Sequence, residues 1–392
     1  MDREKPCVLV LDANQRSALA VTRSLGKSGH YDISTADSVP SALGGASRYS
    51  QTYYRYPDPN QYPKEFVRWI SDFSSKHHFD LYMPTTEVTS QLLLQFQEDL
   101  PHVELPFASY TNVMALAQKA SLVKLAQEHD IAVPKSAVYE SRDQVDAGEL
   151  TFPVVIKPAL SHIFRDDHWV HTQVKVIKDM AGWNNAMQAM HYLDYAPFML
   201  QEFIPGHGSG VFCIYNRGKP VQFFAHQRLR EKPPEGGVSV LSRSIPVPED
   251  LKAASERLLN AVSWHGVAMV EFRVSNEGKP YLMEVNTRFW GSLQLAIDAG
   301  VDFPLMLADL HLDRPPTSTN AGYKDDQRLR WVLGDLDSLY IFMKSSYPIR
   351  RKIRRIMEFL SIRFYGQKHE INRLHDLRPA WIELKQYLKS LR

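Results

Sequence analysis

Glu271, Glu284 and Asn286 are the residues whose types and spacing suggest chemistry most directly. They stand in two strand-like runs, Val267–Val274 and Tyr281–Asn286, flanking Glu277-Gly278, a pair suited to a tight turn. A turn at that pair sets Asn276 opposite Lys279, Val274 opposite Tyr281 and Glu271 opposite Glu284, with Asn286 on the face of Glu284. Like charges directly opposite repel, and in apolar strands they are costly to desolvate. A divalent cation removes both objections. Two carboxylates and an amide oxygen form a hard, all-oxygen set suited to Mg²⁺ or Mn²⁺ shared with phosphates. The competing reading is a solvated hairpin face with chance acids. Arg288 follows the strand end, placed to hold an anionic substrate group.

The basic residues are less specific one by one. Lys157 ends the apolar run Phe152–Lys157, where burial calls for a strong anion such as a nucleotide phosphate, unless the side chain snorkels from a sheet edge. Lys119, on a helix expected over 111–129, reads alone as a solvated helix lysine. Phe198 to Gly206 is an apolar strand interrupted by Gln201 and Glu202. A strand edge there offers backbone groups to a purine, but the pattern alone is an ordinary strand-to-turn. In His226 to Gly237, Arg228 or Arg230 is placed to reach a transferring phosphate, with a solvated loop as the alternative.

These residues need elements to position them. Residues 7–12 read as a buried parallel strand, Asn14 as the cap of a helix over 16–27, and 31–36, 63–76 and 80–83 as strand, helix and strand. That alternation predicts a doubly wound α/β unit. No G-x-G-x-x-G follows the first strand, which argues against a dinucleotide site there. Ile131–Val133 reads as a strand, and strands are expected at 153–157, 172–177, 198–204, 211–216, 220–226, 267–274 and 281–286. Helices are expected near 181–193, 249–264 and 292–300. The fold class is therefore α/β followed by α+β with antiparallel sheet, then a linker over 313–327 and a basic, helical segment over 328–392.

Composition sets outer bounds. Lys+Arg number 46 and Asp+Glu 44, a net charge of +2 that does not point to nucleic acid. The two cysteines, Cys7 and Cys213, support neither a disulfide framework nor a cysteine zinc site and fit a reducing cytoplasm. No run approaches the 18 apolar residues of a membrane span, so a cytoplasmic location is expected.

In order along the chain, these pieces resemble the ATP-grasp superfamily over residues 1–312, with Glu271 and then Glu284-Val-Asn-Thr-Arg288 similar to its metal-binding Glu…Glu-x-Asn-x-Arg pattern. Pro205–Gly210, His226–Glu231, Gly236–Ser239 and Phe289–Asp298 resemble the predicted carboxylate–amine ligases that include D-aspartate ligase. The resemblance implies an N-terminal pre-ATP-grasp domain over 1–110, a lid subdomain over 111–196 and a metal-hairpin subdomain over 197–312. It also implies ATP and Mg²⁺ or Mn²⁺ as cofactors. Lys119 and Lys157 would hold phosphates, and Gln201, Glu202, Phe203 and Ile204 would line the adenine site. Glu271, Glu284 and Asn286 would bind the metal, and Arg228 and Arg288 would steady the transferred phosphoryl group. Two departures stand out. The lid loop Ala159–His168 has no glycine, so Ser161, His162 or Arg165 would contribute side chains there. Gly206-His-Gly208 stands where many relatives place a ribose-binding acid.

The expected function is a ligase that activates a small-molecule carboxylate as an acyl phosphate and joins it to an amine. The alternatives are bicarbonate activation and a non-catalytic nucleotide-binding regulator. Residues 349–364 set Ile349, Ile353, Ile356, Leu360 and Phe364 at helical spacing among Arg350, Arg351, Lys352, Arg354 and Arg355. The expectation is a helix docked on its own protein with a solvated basic face. A weak contact with an anionic membrane is the alternative.

Overall fold

The computed structural model describes residues 5–159, 162–165, 168–234, 237–315, 322–361 and 366–391. Ser161, the side chains of His162 and Arg165, residues 316–321 of the expected linker, and Phe364 lie outside the described residues.

The N-terminal unit runs β1 (Cys7–Val10), α1 (Arg16–Ser28), β2 (Asp32–Asp37), β3 (Thr52–Arg55), α2 (Pro63–Ser74), β4 (Leu81–Met83) and α3 (Glu87–Gln95). Its strands pair in parallel in the order β3-β2-β1-β4, the expected α/β sheet. Val8 and Val10 enter one core and Leu9 and Leu11 another, so both faces are covered and the run is uniformly apolar. The cap of α1 is Gln15, not Asn14, and its side chain makes no capping bond. Asn14 instead donates its backbone N–H to Asp37 at 2.7 Å.

The helix expected over 111–129 is two helices, α4 (Tyr110–Ala117) and α5 (Lys119–Glu128). The chain turns extended at Gln118, and the Lys119 N–H donates to Ala159 O at 3.2 Å instead of continuing a helix ladder. Ile131–Val133 is not a strand, although Ala132 O accepts from Leu282 N–H at 2.8 Å.

The second sheet comes from β5 (Ser136–Tyr139), β6 (Val154–Pro158), β9 (Lys175–Ile177) and β10 (Phe198–Glu202), in the order β5-β10-β6-β9. A hairpin of β7 (His162–Arg165) and β8 (His168–His171) precedes β9, and α6 (Met180–Ala189) precedes β10. Val154, Ile156, Phe198 and Leu200 pack into this unit's own core with Trp183 of α6. Alternation sends Val155, Lys157, Met199 and Gln201 to the opposite face.

The largest sheet holds β11 (Gly206–Asn216), β12 (Lys219–Lys232), β13 (Val238–Ile245), β14 (Gly266–Ser275) and β15 (Pro280–Asn286). Around it lie α7 (Glu249–Ala261), α8 (Leu293–Ala299) and α9 (Phe303–His311). The C-terminal stretch supplies β16 (Arg328–Arg330), α10 (Val332–Lys344), α11 (Ile349–Leu360), β17 (Gln367–His369) and α12 (Arg378–Ser390). That stretch is mostly helix, as expected, but its two short strands extend the sheet to the order β15-β14-β11-β12-β13-β16-β17.

Charged side chains fasten the C-terminal elements. Arg23 of α1 reaches Asp376 at 2.9 Å and the carbonyls of Glu370 and Ile371. Fully buried Asp335 of α10 accepts from Arg230 at 2.6 Å, Arg330 at 2.7 Å and Arg355 at 2.7 Å, joining β12, β16 and α11. Removing one partner of a buried ion cluster leaves charge uncompensated. Asp335→Ala should therefore cost about 3–5 kcal/mol in a urea unfolding experiment; a loss below about 1 kcal/mol would show that the cluster does not hold these elements together.

Candidate active site

The hairpin of β14 and β15 brings Glu271 directly opposite Glu284, as expected, but by a different route. Ser275 N–H donates to Lys279 O at 2.9 Å, and Gly278 holds φ +86°, so the turn has three residues, Asn276 to Gly278. Asn276 therefore does not pair with Lys279, and Val274 faces Pro280 rather than Tyr281. A bulge at Met283 restores the register before Glu284. The bulge also explains why Leu282 and Val285, three residues apart, both enter the same core as Val270 and Phe272. Glu284 and Asn286 are left on the face of Glu271.

Charge organises this face. Glu271 accepts from Arg228 at 3.0 Å, and the same guanidinium reaches Glu231 at 3.3 Å. Glu284 accepts from Asn286 Nδ2 at 3.3 Å, and Asn286 Oδ1 accepts from Arg288 at 3.3 Å. Arg288 also donates to Phe289 O at 2.9 Å. Burial, and then the facing Glu284 charge, raise the Glu271 carboxyl to about 7 despite Arg228. The pair is thus short of positive charge in a sheltered place. Its oxygens, with the Asn286 amide, suit a hard divalent cation. Among the described residues no group of three or more His, Cys, Asp or Glu is placed to hold a metal. A metal here would therefore take its remaining ligands from phosphate or water.

The sheet β5-β10-β6-β9, expected from the sequence to belong to a lid, supplies the opposing wall. Lys157 and Lys119 are only 7% and 6% exposed. The solvated reading of Lys119 fails because the break at Gln118 starts α5 against the lid. Lys157 Nζ lies 3.7 Å from Met283 Sδ, so the lid lysine touches the bulge beside Glu284. Burial, with the nearby Lys119 charge, lowers Lys157 to about 8, while Glu284 and Glu271 pull the other way. Two sheltered ammonium groups beside a carboxylate pair provide alternating charge of the kind a metal-bound polyphosphate complements.

The expected adenine segment is placed less simply. Gln201 is buried on the face of Lys157, and its amide donates to Ser136 at 3.0 Å. Glu202 is exposed, and its backbone N–H is taken by Lys135 O at 2.8 Å. Ile204 is buried, and its carbonyl accepts from Arg273 at 3.0 Å. Phe203 packs under the same guanidinium, 5.7 Å from the ring centre. Arg230 does not join the site: a bulge at Leu229 separates it from Arg228, and it binds Asp335 instead.

Comparison with known proteins bears on the fold. A family described as ATP-grasp in the biosynthetic pathway with Ter operon matches residues 194–334. An L-amino acid ligase from Bacillus licheniformis aligns over 84% of this chain and 79% of its own, with a TM-score of 0.63 and 14% identity. Biotin carboxylase from Campylobacter jejuni aligns over 83% and 74%, with a TM-score of 0.61 and 14% identity. The chain has the ATP-grasp fold. In sequence, the vancomycin B-type resistance protein VanB of Enterococcus faecalis (strain ATCC 700802 / V583) is 25% identical over 216 residues, which are 50% of this chain. The match spans 61% of VanB's length.

Three structural details of this face were not assigned from the sequence, although Pro205–Gly210 and His226–Glu231 were singled out there. Glu231, the second partner of Arg228, is three residues away, which on a regular strand is the wrong face; the bulge at Leu229 brings it round. Met283 gave no signal as the bulge residue. Gly206, Gly208 and Gly210 alternate along β11, and Gly210 is paired with Glu271. At Gly206, with φ +151°, an added Cβ would meet Val274 O at 2.0 Å, so only glycine fits. At Gly208 an added Cβ would meet nothing nearer than Arg228 Nη1 at 3.9 Å, so a side chain there would project into the space before the arginine.

Two outcomes are expected. Gly208→Val should leave the melting temperature unchanged while weakening ATP binding about tenfold or more, by isothermal titration; unchanged affinity would remove this face from the site. A metal-bound nucleotide held by this pair and Lys157 would need Glu271 ionised and Lys157 protonated. Nucleotide binding should therefore fall below about pH 7 and above about pH 8. Lys157→Arg keeps the charge at high pH and should abolish the alkaline fall alone. An unaltered alkaline limb in that variant would mean that Lys157 is not the titrating group.

Proposed function

We propose that this protein is an ATP- and Mg²⁺-dependent ligase that activates a small-molecule carboxylate as an acyl phosphate and passes the acyl group to an amine, releasing ADP and phosphate. The observation that carries the reading is the in-register pair Glu271 and Glu284, with Lys157 against the bulge beside it. The fold supports it, and an amine is taken as the nucleophile by analogy with the L-amino acid ligase.

Each residue then has a physical task. Glu271, Glu284 and Asn286 would hold Mg²⁺ or Mn²⁺, which would screen charge on the triphosphate. Lys157 and Lys119 hold phosphate oxygens from the lid side. Arg228 and Arg288 lie on either side of the carboxylate pair, bonded to Glu271 and Asn286. They neutralise charge on the γ-phosphoryl group as it moves to the carboxylate oxygen. The carboxylate oxygen attacks phosphorus and ADP leaves. The amine then attacks the acyl carbon, phosphate leaves, and the nitrogen's proton passes to water or a base. Gln201, Glu202, Phe203 and Ile204 belong to the strand end that would border the adenine.

The test is phosphate release from ATP with pooled amino acids or peptide-like carboxylates as acceptors, followed by mass spectrometry of the product. ADP and phosphate should form in step with an amide, and Glu284→Gln should lower turnover by about 10³-fold or more. AMP and pyrophosphate as products would contradict the acyl-phosphate route. Turnover that requires bicarbonate and no other acid would favour a carboxylase instead.

A further inference from the structure

The helix α11 presents an unusual face. At 3.6 residues per turn, Ile349, Ile353, Met357 and Leu360 fall within one arc of roughly 80°. They are 70%, 55%, 63% and 62% exposed. Arg350 and Arg354 border the arc, and Arg351 lies beyond them, all exposed. The helix does dock on its own protein, as the sequence suggested, but by the opposite side. Its buried residue is Arg355, held by Asp335 at 2.7 Å. The apolar stripe that would ordinarily face the core is turned outward. Leu336, Tyr340 and Ile341 of the neighbouring α10 are exposed too.

Large apolar side chains beside guanidinium groups match the boundary of an anionic bilayer. The apolar groups enter the headgroup–acyl region while arginines reach the phosphates. Charge argues against a second copy of this chain. The exposed polar residues of α11 are three arginines and one acid, Glu358. A two-fold contact with a second copy would set basic flank against basic flank. Among the described residues no helix is long and apolar enough to cross a membrane, so the contact would be peripheral.

We propose that α11 docks this protein on an anionic lipid surface, with Ile349, Ile353, Met357 and Leu360 inserted and Arg350, Arg351 and Arg354 on lipid phosphates. The same helix is tied through Asp335 to Arg230, two residues from Arg228. The docking face and the candidate active site are therefore joined by one strand, β12.

Co-sedimentation of the full chain tests this, with vesicles of phosphatidylcholine alone or with about a third phosphatidylglycerol. The protein should pellet with the mixed vesicles at low salt, and binding should drop about tenfold when the salt is raised severalfold. It should not pellet with phosphatidylcholine alone. Ile353→Glu/Met357→Glu alters side chains already in solvent, so its melting temperature should match wild type while vesicle binding is lost. Arg350→Glu/Arg354→Glu, equally exposed, should lose binding as well. The proposal fails if wild type stays in the supernatant, binds both vesicle types equally, or binds no better than the two variants. It also fails if sedimentation velocity shows a dimer that Ile353→Glu/Met357→Glu dissociates and that does not bind lipid.

Discussion

Two carboxylates facing each other across a hairpin are an unfavourable thing to build, and much of this structure is arranged around that pair. Glu271 and Glu284 lie opposite in register, largely out of bulk water, with their apolar neighbours committed to a core on the other side of the sheet. Burial and then the facing Glu284 charge push the Glu271 carboxyl up, to about 7. The surroundings compensate in part. Arg228 takes Glu271, Arg288 is linked to Glu284 through Asn286, and Lys157 closes from the lid. Such a group is poorly satisfied alone, and a divalent cation carrying phosphate would satisfy it.

The rest of the fold makes that geometry rigid. The β11 and β14 strands are apolar on both faces, one set of side chains entering the core shared with α7 and the other the core shared with α8 and α9. A hairpin anchored this way cannot slip by one residue without moving buried side chains into water. The lid sheet has its own core around Trp183 and presents only its Lys157 face to the hairpin. Separate cores on either side of the site are compatible with the two walls moving relative to each other, as closing over a bound ligand would require.

Much of this was legible in the sequence, for identifiable reasons. Glu271 and Glu284 could be paired from strand periodicity and a Gly-containing turn. The register was right only because two deviations cancel: a turn one residue longer than expected and a bulge at Met283. Nothing in residue types marks Met283 as the bulge. Read alone, Lys119 looks solvated because helical periodicity continues through Gln118, whereas a tertiary bond to Ala159 O breaks the helix and buries the lysine. Strands β16 and β17 have three residues each, too few for alternation to show, and gain their place from the sheet edge they extend. The inverted docking of α11 was equally hidden, since it depends on Asp335 binding Arg355 from another helix.

The central claim is that the facing acids hold the cation that carries the triphosphate. Crystals grown with Mn²⁺ and a non-hydrolysable ATP analogue would test it by anomalous scattering. The account requires a manganese peak bridging Glu271 and Glu284, with the analogue's phosphates completing its coordination. Manganese bound by the phosphates alone, with Glu271 still paired to Arg228 and no metal contact to Glu284, would contradict it.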